Sequence, residues 1–268
     1  MRQLIMICLG FGLCVSSPAW SASCGNGPAG FETWKQSFIA DASRHGLKPR
    51  IVKQALQNVS YNSKVIRLDR GQKSFKLSFE QFYAKRVNNA MIRRGQKLGQ
   101  TYARMFAGIE RKYGVPAPVI LAIWGLETNY GSFSGNMPVL QSLATLAYDC
   151  RRSAFFTNEL IAALTIVQRR DMSPEEMKGA WAGELGQTQF LASSYVKYAV
   201  DYDRNGRRDL IRSIPDVLAS TANYLAQHGW RRGQGWGPGT ANYKVLTKWN
   251  KASVYVQTIS VMADKIAG

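Results

Sequence analysis

Apolar residues recur at helical spacing through most of the chain. Phe31, Trp34, Phe38, Ile39 and Ala42 follow the three-to-four-residue period of an amphipathic helix ending near Gly46, and Pro49 opens a second, short helix through Val59. Across residues 74–112, Phe75, Phe79, Phe82, Leu98, Tyr102, Met105, Phe106 and Ile109 fall on apolar faces with arginines and lysines between them, which predicts a basic-sided helical pair. The period continues over residues 140–148, 155–167 and 214–227, and Val254, Val256, Ile259, Met262 and Ile266 predict a last helix. Ser173-Pro174-Glu175-Glu176 reads as a helix start, with a capping serine, a proline at the first position and a glutamate three residues after the cap. Residues 229–239, rich in Gly and Trp, read as a loop. The pattern predicts a mainly α protein in which any strand is short.

One segment departs from amphipathicity. Residues 113–126 carry no charge; Pro116 and Pro118 suit a first helical turn, and Val119, Ile120, Ile123, Trp124 and Leu126 cover so much of the circumference that the helix must be buried. It ends in Glu127-Thr128-Asn129-Tyr130-Gly131. A carboxyl in such a setting, without a cationic partner, holds its proton to higher pH and can serve as a general acid. The alternative is a core-edge glutamate that caps the turn or pairs with an arginine.

The first residues change the picture of where the chain works. Arg2 is the only charge before an apolar stretch from Leu4 to Val15 and a small, polar stretch around Pro18 and Trp20, the pattern of a secretory signal over residues 1–23. The apolar stretch is too short for a membrane anchor. A mature chain of residues 24–268 is expected to form one domain in the periplasm, with lipidation at Cys24 the lesser alternative to a free leaderless start. Loss of the leader removes Cys8 and Cys14 and leaves Cys24 and Cys150, which suggests one disulfide rather than two free thiols. A formal charge of +18 calls for a polyanionic partner. For an exported chain these are cell-wall polymers or anionic lipid headgroups; nucleic acid is not expected, and a monomer is.

Two further motifs carry candidate chemistry. Gly183-Glu184-Leu185-Gly186-Gln187-Thr188-Gln189-Phe190 sets two glutamines beside glycines, so that backbone can approach a ligand while Gln187 and Gln189 offer donors and acceptors to sugar hydroxyls or N-acetyl groups. Buried turn glutamines are the alternative, and Glu184 is either a second carboxylate or a turn residue. Asp201-Tyr202-Asp203-Arg204-Asn205-Gly206 matches the start of an EF-hand loop, but Arg212 stands at the twelfth position, leaving Asp216 as the nearest replacement carboxylate. An Asx-rich turn without metal is the alternative. Aromatic residues that can stack on sugar rings include Tyr130, Trp181, Tyr224, Trp230, Trp236 and Trp249, although most belong to the core of a domain this size.

In order and spacing, residues 125–131, 147–152, 179–190, 201–210 and 222–225 together resemble the soluble lytic transglycosylases of the MltB type, glycoside hydrolase family 103. The resemblance covers most of the mature chain. It implies a lysozyme-like helical fold and cleavage of the MurNAc–GlcNAc β-1,4 bond of peptidoglycan with formation of 1,6-anhydro-MurNAc ends. It places the single general acid/base at Glu127, Gln189 near the scissile bond, Tyr224 in the sugar groove and Asn250 at its rim, with Tyr130 and Phe190 as further contacts. It also implies a structural calcium held by Asp201, Asp203, Asn205, the Arg207 carbonyl and Asp216, with no cofactor for catalysis. Two positions depart from the family: Ala180 stands where a serine is expected, and Trp249 where a tyrosine is. A hydrolytic muramidase and a non-catalytic peptidoglycan-binding protein are the competing readings.

Overall fold

The computed structural model describes residues 23–71 and 77–268. The candidate leader, including Cys8 and Cys14, and the predicted helical contribution of Phe75 lie outside the described residues.

The N-terminal region consists of α1 (Phe31–Ala40), α2 (Pro49–Leu56) and α3 (Ser63–Arg70). The basic amphipathic stretch is not a pair but three helices, α4 (Phe79–Arg86), α5 (Asn89–Thr101) and α6 (Ala103–Tyr113). The breaks follow from local chemistry. Ser78 and Gln81 form a capping box that starts α4, and the Asn88 side chain accepts from the Met91 amide to start α5. The apolar segment is α7 (Ala117–Thr128), followed by β1 (Met137–Pro138), α8 (Val139–Tyr148), α9 (Ser153–Gln168) and β2 (Lys178–Gly179). The chain closes with α10 (Ala192–Tyr198), α11 (Ile214–Gln227), α12 (Ala241–Trp249) and α13 (Ser253–Ala267).

The strands are two residues each and pair antiparallel, Met137 with Gly179 and Pro138 with Lys178. That pairing explains why the Ser173 motif starts no helix. Ser173 and Glu176 make both reciprocal capping bonds, yet the Met177 carbonyl accepts from the Val139 amide and the next residues join the ribbon, so the motif closes only a turn.

Helix α7 is the centre of the molecule. Nine of its residues are buried, against α13 on one side and α5 on another. Gly125 makes the α13 contact possible, because a Cβ there would lie 2.7 Å from the Met262 methyl and 2.9 Å from the Tyr130 ring. On the opposite flank α3 is fastened to the α8–α9 turn. Arg70 Nη2 donates to both carboxylate oxygens of Asp149 at 3.0 and 2.8 Å, and Asp69 accepts from Arg70 Nη1, Arg151 and Arg152. Beside this latch Cys24 and Cys150 are joined by a disulfide, and the Gly25 amide donates to the Tyr148 carbonyl at 2.9 Å. The disulfide closes a loop of 126 residues, worth about 4 to 5 kcal/mol in the chain-entropy description.

Candidate active site

Helix α7 stops because Asn129, Tyr130 and Gly131 all turn left-handed, with φ of 49°, 58° and 76°. Asn tolerates that region and Gly favours it, whereas Tyr does not, so the turn must be held from outside. Thr128 holds it: its hydroxyl accepts from the Gly131 amide at 2.9 Å and donates to the Gln187 carbonyl at 2.5 Å. Tyr130 holds it from behind, its hydroxyl on the Met91 carbonyl and its ring edge-on to Trp124.

Glu127 therefore projects from the rigid end of α7 into a cleft with a cavity volume of about 330 Å³. Its Oε1 accepts two hydrogen bonds, from Trp249 Nε1 at 2.9 Å and from the Tyr255 hydroxyl at 2.7 Å. Its Oε2 accepts none among the described residues. Burial pushes the carboxyl up to about 6; the Trp249 and Tyr255 bonds and the charge of Arg86 oppose that rise, and the neighbouring Glu184 adds to it. The alternative of an arginine pair is excluded, since the Arg86 guanidinium donates to the Leu126 carbonyl at 2.8 Å and no salt bridge to Glu127 forms among the described residues. The result is a carboxyl with one oxygen fixed by neutral donors and the other available to a ligand.

Two walls complete the cleft. One is the segment containing Ala180, Trp181, Glu184, Gln189, Phe190, Leu191 and Ser194; the other is Tyr224 with Lys248, Trp249 and Asn250. The aromatic residues support one another: Phe190 meets Tyr224 and Trp249 edge-on at ring distances of 5.9 and 5.4 Å, and Tyr224 stacks on His228 at 4.1 Å. The Tyr224 hydroxyl donates to the Lys248 carbonyl, and Asn250 Oδ1 accepts from the Ala252 amide, which fixes the α12–α13 turn at the rim.

The two glutamines have different fates. Gln189 takes a left-handed φ of 52°, donates to the Ser134 and Gly186 carbonyls, and presents its Oε1 without a hydrogen bond among the described residues. Gln187 does not line the cleft. Its Oε1 accepts from Trp124 Nε1 at 2.9 Å and its Nε2 donates to the Ile211 carbonyl at 2.8 Å, so its amide is consumed in fastening α7 to the 186–190 turn. Gly131 is required for that fastening, since a Cβ there would lie 2.2 Å from Gln187 Oε1. Tyr130 is likewise a buttress at 4 % exposure rather than a sugar contact. Trp249 and Tyr255 escaped the sequence reading as partners of Glu127. The Trp249-Asn250 pair was the available signal for the first; Tyr255 reads as one more buried position of α13.

Away from the cleft, carboxylate oxygens of Asp201, Asp203 and Asp216 lie within 4.8 Å of one another. Asp216, fully buried at the start of α11, accepts from the Tyr202, Asp203 and Asp209 amides and so folds the loop around itself. Asn205 Oδ1 accepts from the Arg207 amide within the same loop. Arg212 turns outward to Asp209 and Glu176, so its charge does not enter the cluster.

Comparison with known proteins agrees with this geometry. The chain is similar to the membrane-bound lytic murein transglycosylase B of Escherichia coli, with 39 % identity over 122 residues, 45 % of this chain and about a third (34 %) of that protein's length. Among solved structures, SltB3 from Pseudomonas aeruginosa in complex with NAG-anhNAM-pentapeptide superposes with a TM-score of 0.83 at 31 % identity, covering 89 % of this chain and 80 % of that one. Soluble lytic transglycosylase SltB1 of the same organism, 23 % identical, shares the fold with a TM-score of 0.81 over 87 % of this chain and 98 % of its own. Residues 30–241 match the sequence profile of the transglycosylase SLT domain, and the chain belongs to that family.

Proposed function

We propose that this chain is exported to the periplasm and cleaves the MurNAc–GlcNAc β-1,4 bonds of peptidoglycan strands as a lytic transglycosylase, with Glu127 as the single general acid/base. The observation that carries this reading is a carboxyl held near a pKa of about 6 at the floor of an aromatic cleft, with one oxygen anchored and one available. At that value about one molecule in ten still carries the proton at pH 7.

Glu127 Oε2 delivers its proton to the glycosidic oxygen as the bond to C1 breaks. The carboxylate then takes the proton of the muramic C6 hydroxyl as that oxygen closes on C1, which leaves a 1,6-anhydro end and consumes no water. Most glycosidases need a second carboxylate to activate water or to attack C1. Here the substrate supplies the nucleophile, so one group that gives and then regains a proton suffices. The anhydro sugar bound by SltB3 supports this outcome. In this reading Gln189 contacts the sugar next to the scissile bond, Phe190 and Tyr224 line the groove, and Asn250 shapes its rim.

Calcium is proposed as a structural ion. The convergence of Asp201, Asp203 and Asp216 fits a hard cation, with Asn205 and the Arg207 carbonyl as further oxygen donors. Chelation is then expected to lower the melting temperature more than the initial rate, and an unchanged melting curve would remove the metal. The basic face of α5 and α6, where Arg93, Arg94, Lys97, Arg104, Arg111 and Lys112 are exposed and pair with no carboxylate among the described residues, suits attachment to anionic wall polymer or lipid.

The test of the chemistry is mass spectrometry of muropeptides released from purified peptidoglycan by the mature protein and by Glu127→Gln. Products one water lighter than hydrolytic ones, absent with the variant, are expected. Hydrated reducing ends would mean a muramidase, and binding without release a non-catalytic glycan-binding protein.

A further inference from the structure

Glu184 is the second carboxyl of the cleft, and nothing in the mechanism above uses it. Its main chain is fixed by a tight double turn: the Ala180 amide donates to the Glu184 carbonyl at 3.0 Å, and Leu185 exchanges two hydrogen bonds with Phe190 at 2.7 and 2.8 Å. The turn fixes the backbone position from which its side chain leaves the wall.

None of the charged groups facing it makes a hydrogen bond or ion pair with its side chain among the described residues. Glu159, 3 % exposed, spends both oxygens on the amide and hydroxyl of Ser193. Arg152 donates from Nη2 to Asp69 and lies over the Phe156 ring at 4.8 Å, while its Nε is buried without a hydrogen bond to Glu184 or any other described residue. Glu127 has its Oε1 on Trp249 and Tyr255. The amides of Ala182 and of Glu184 itself favour the charged carboxyl, but Glu184 Oε2 is buried with no hydrogen-bond partner and no cation forms an ion pair with it among the described residues. Leaving such an atom unsatisfied costs about 1 to 3 kcal/mol, and a bound water, an ion or a functional role is what accounts for such groups in native structures.

We propose that Glu184 is a substrate-positioning residue whose carboxyl hydrogen-bonds an oxygen of the bound N-acetylated sugar, holding the glycan in register with Glu127. The inference rests on the glycan-cleaving reading of the cleft. A carboxyl next to Glu127 and Glu159, with the nearest guanidinium, Arg152, directed to Asp69 instead of to it, is poorly placed to carry a further negative charge. Burial and the Glu159 charge push Glu184 above the ordinary carboxylate range, against the two amides and Arg152. In its acid form it has one O–H to offer, and a sugar hydroxyl or acetamido carbonyl is the complement the protein itself does not provide.

The test uses binding, so that it is independent of turnover. In the inactive Glu127→Gln protein, calorimetric titration with a GlcNAc–MurNAc tetrasaccharide is run from pH 5 to pH 8. The affinity is expected to fall with rising pH as Glu184 ionises. Adding Glu184→Gln, which keeps a neutral donor, should abolish that pH dependence while retaining the acid-side affinity; adding Glu184→Ala should weaken binding about ten- to fiftyfold. Identical pH profiles for the parent and the Glu184→Gln protein would overturn the proposal even if Glu184→Ala failed to fold, as would undiminished binding by a folded Glu184→Ala protein. A wild type that binds the tetrasaccharide yet releases no anhydro products would count against the chemistry, not against Glu184.

Discussion

At the cleft, the Glu127 carboxyl meets two neutral donors, Trp249 and Tyr255; at the latch between α3 and the α8–α9 turn, Asp69 meets three guanidinium groups. Burial alone would push both carboxyls up. For Asp69, 2 % exposed, the hydrogen bonds and charges of Arg152 and Arg151 outweigh burial and hold the group below its ordinary value. For Glu127 the neutral donors offset burial only in part, and the value stays near 6. The same chemical group is thereby a fixed anion in one place and a proton carrier in the other. What separates them is whether the surrounding donors carry charge.

The comparison can be broken at either end. The largest effect is expected from Glu127→Gln, which keeps the shape and both Oε1 hydrogen bonds but cannot give up a proton: bond cleavage should fall by about 10² to 10⁴-fold, measured as release of soluble muropeptides. At the latch, Asp69→Asn leaves Arg151 and Arg152 without a carboxylate, beside an Arg70 that keeps only Asp149. Because those arginines are about 40 % exposed, solvent moderates the loss, and about 2 kcal/mol of unfolding free energy at pH 7 is expected. A lowered folded-state pKa contributes stability above the unfolded value and loses it as pH falls through the folded one. Denaturant titrations should therefore show the wild type and Asp69→Asn converging below about pH 4.

The sign reverses at the cleft. A raised folded-state pKa favours the fold below the unfolded value and loses that contribution as pH rises through the folded one, here from about 4.5 to about 6. Glu127→Gln is thus expected to gain up to about 2 kcal/mol over the wild type above pH 7 and nothing below pH 4, in the same titrations. The smallest effect belongs to the neutral donors. Tyr255→Phe or Trp249→Phe removes one bond to the charged form, so the alkaline limb of kcat/KM against pH should move up by about half to one unit.

The part of this comparison legible in sequence is the part built from contiguous residues. An uncharged run ending in a single glutamate fixes α7 and points at Glu127; a serine, a proline and an apolar period mark α11 at residues 214–227. The short helices α3, α10 and α12 escaped because seven to nine residues give too few turns for a period to stand out. The partners of Glu127 escaped for a different reason. Trp249 and Tyr255 lie 122 and 128 residues away, and only the packing of α12 and α13 on α7 brings them there. Gln187 and Gln189 share residue type and motif, yet a turn with left-handed Gly186 and Gln189 sends the first to Trp124 and the second to the cleft.

The measurement closest to the centre of this account is a direct titration of the Glu127 carboxyl by carbon NMR, assigned by its disappearance in Glu127→Gln. A midpoint near 6 is expected, coinciding with the alkaline limb of kcat/KM. A midpoint at or below 4.5 would make Glu127 an ordinary anion at neutral pH and contradict its role as the proton carrier of the cleft.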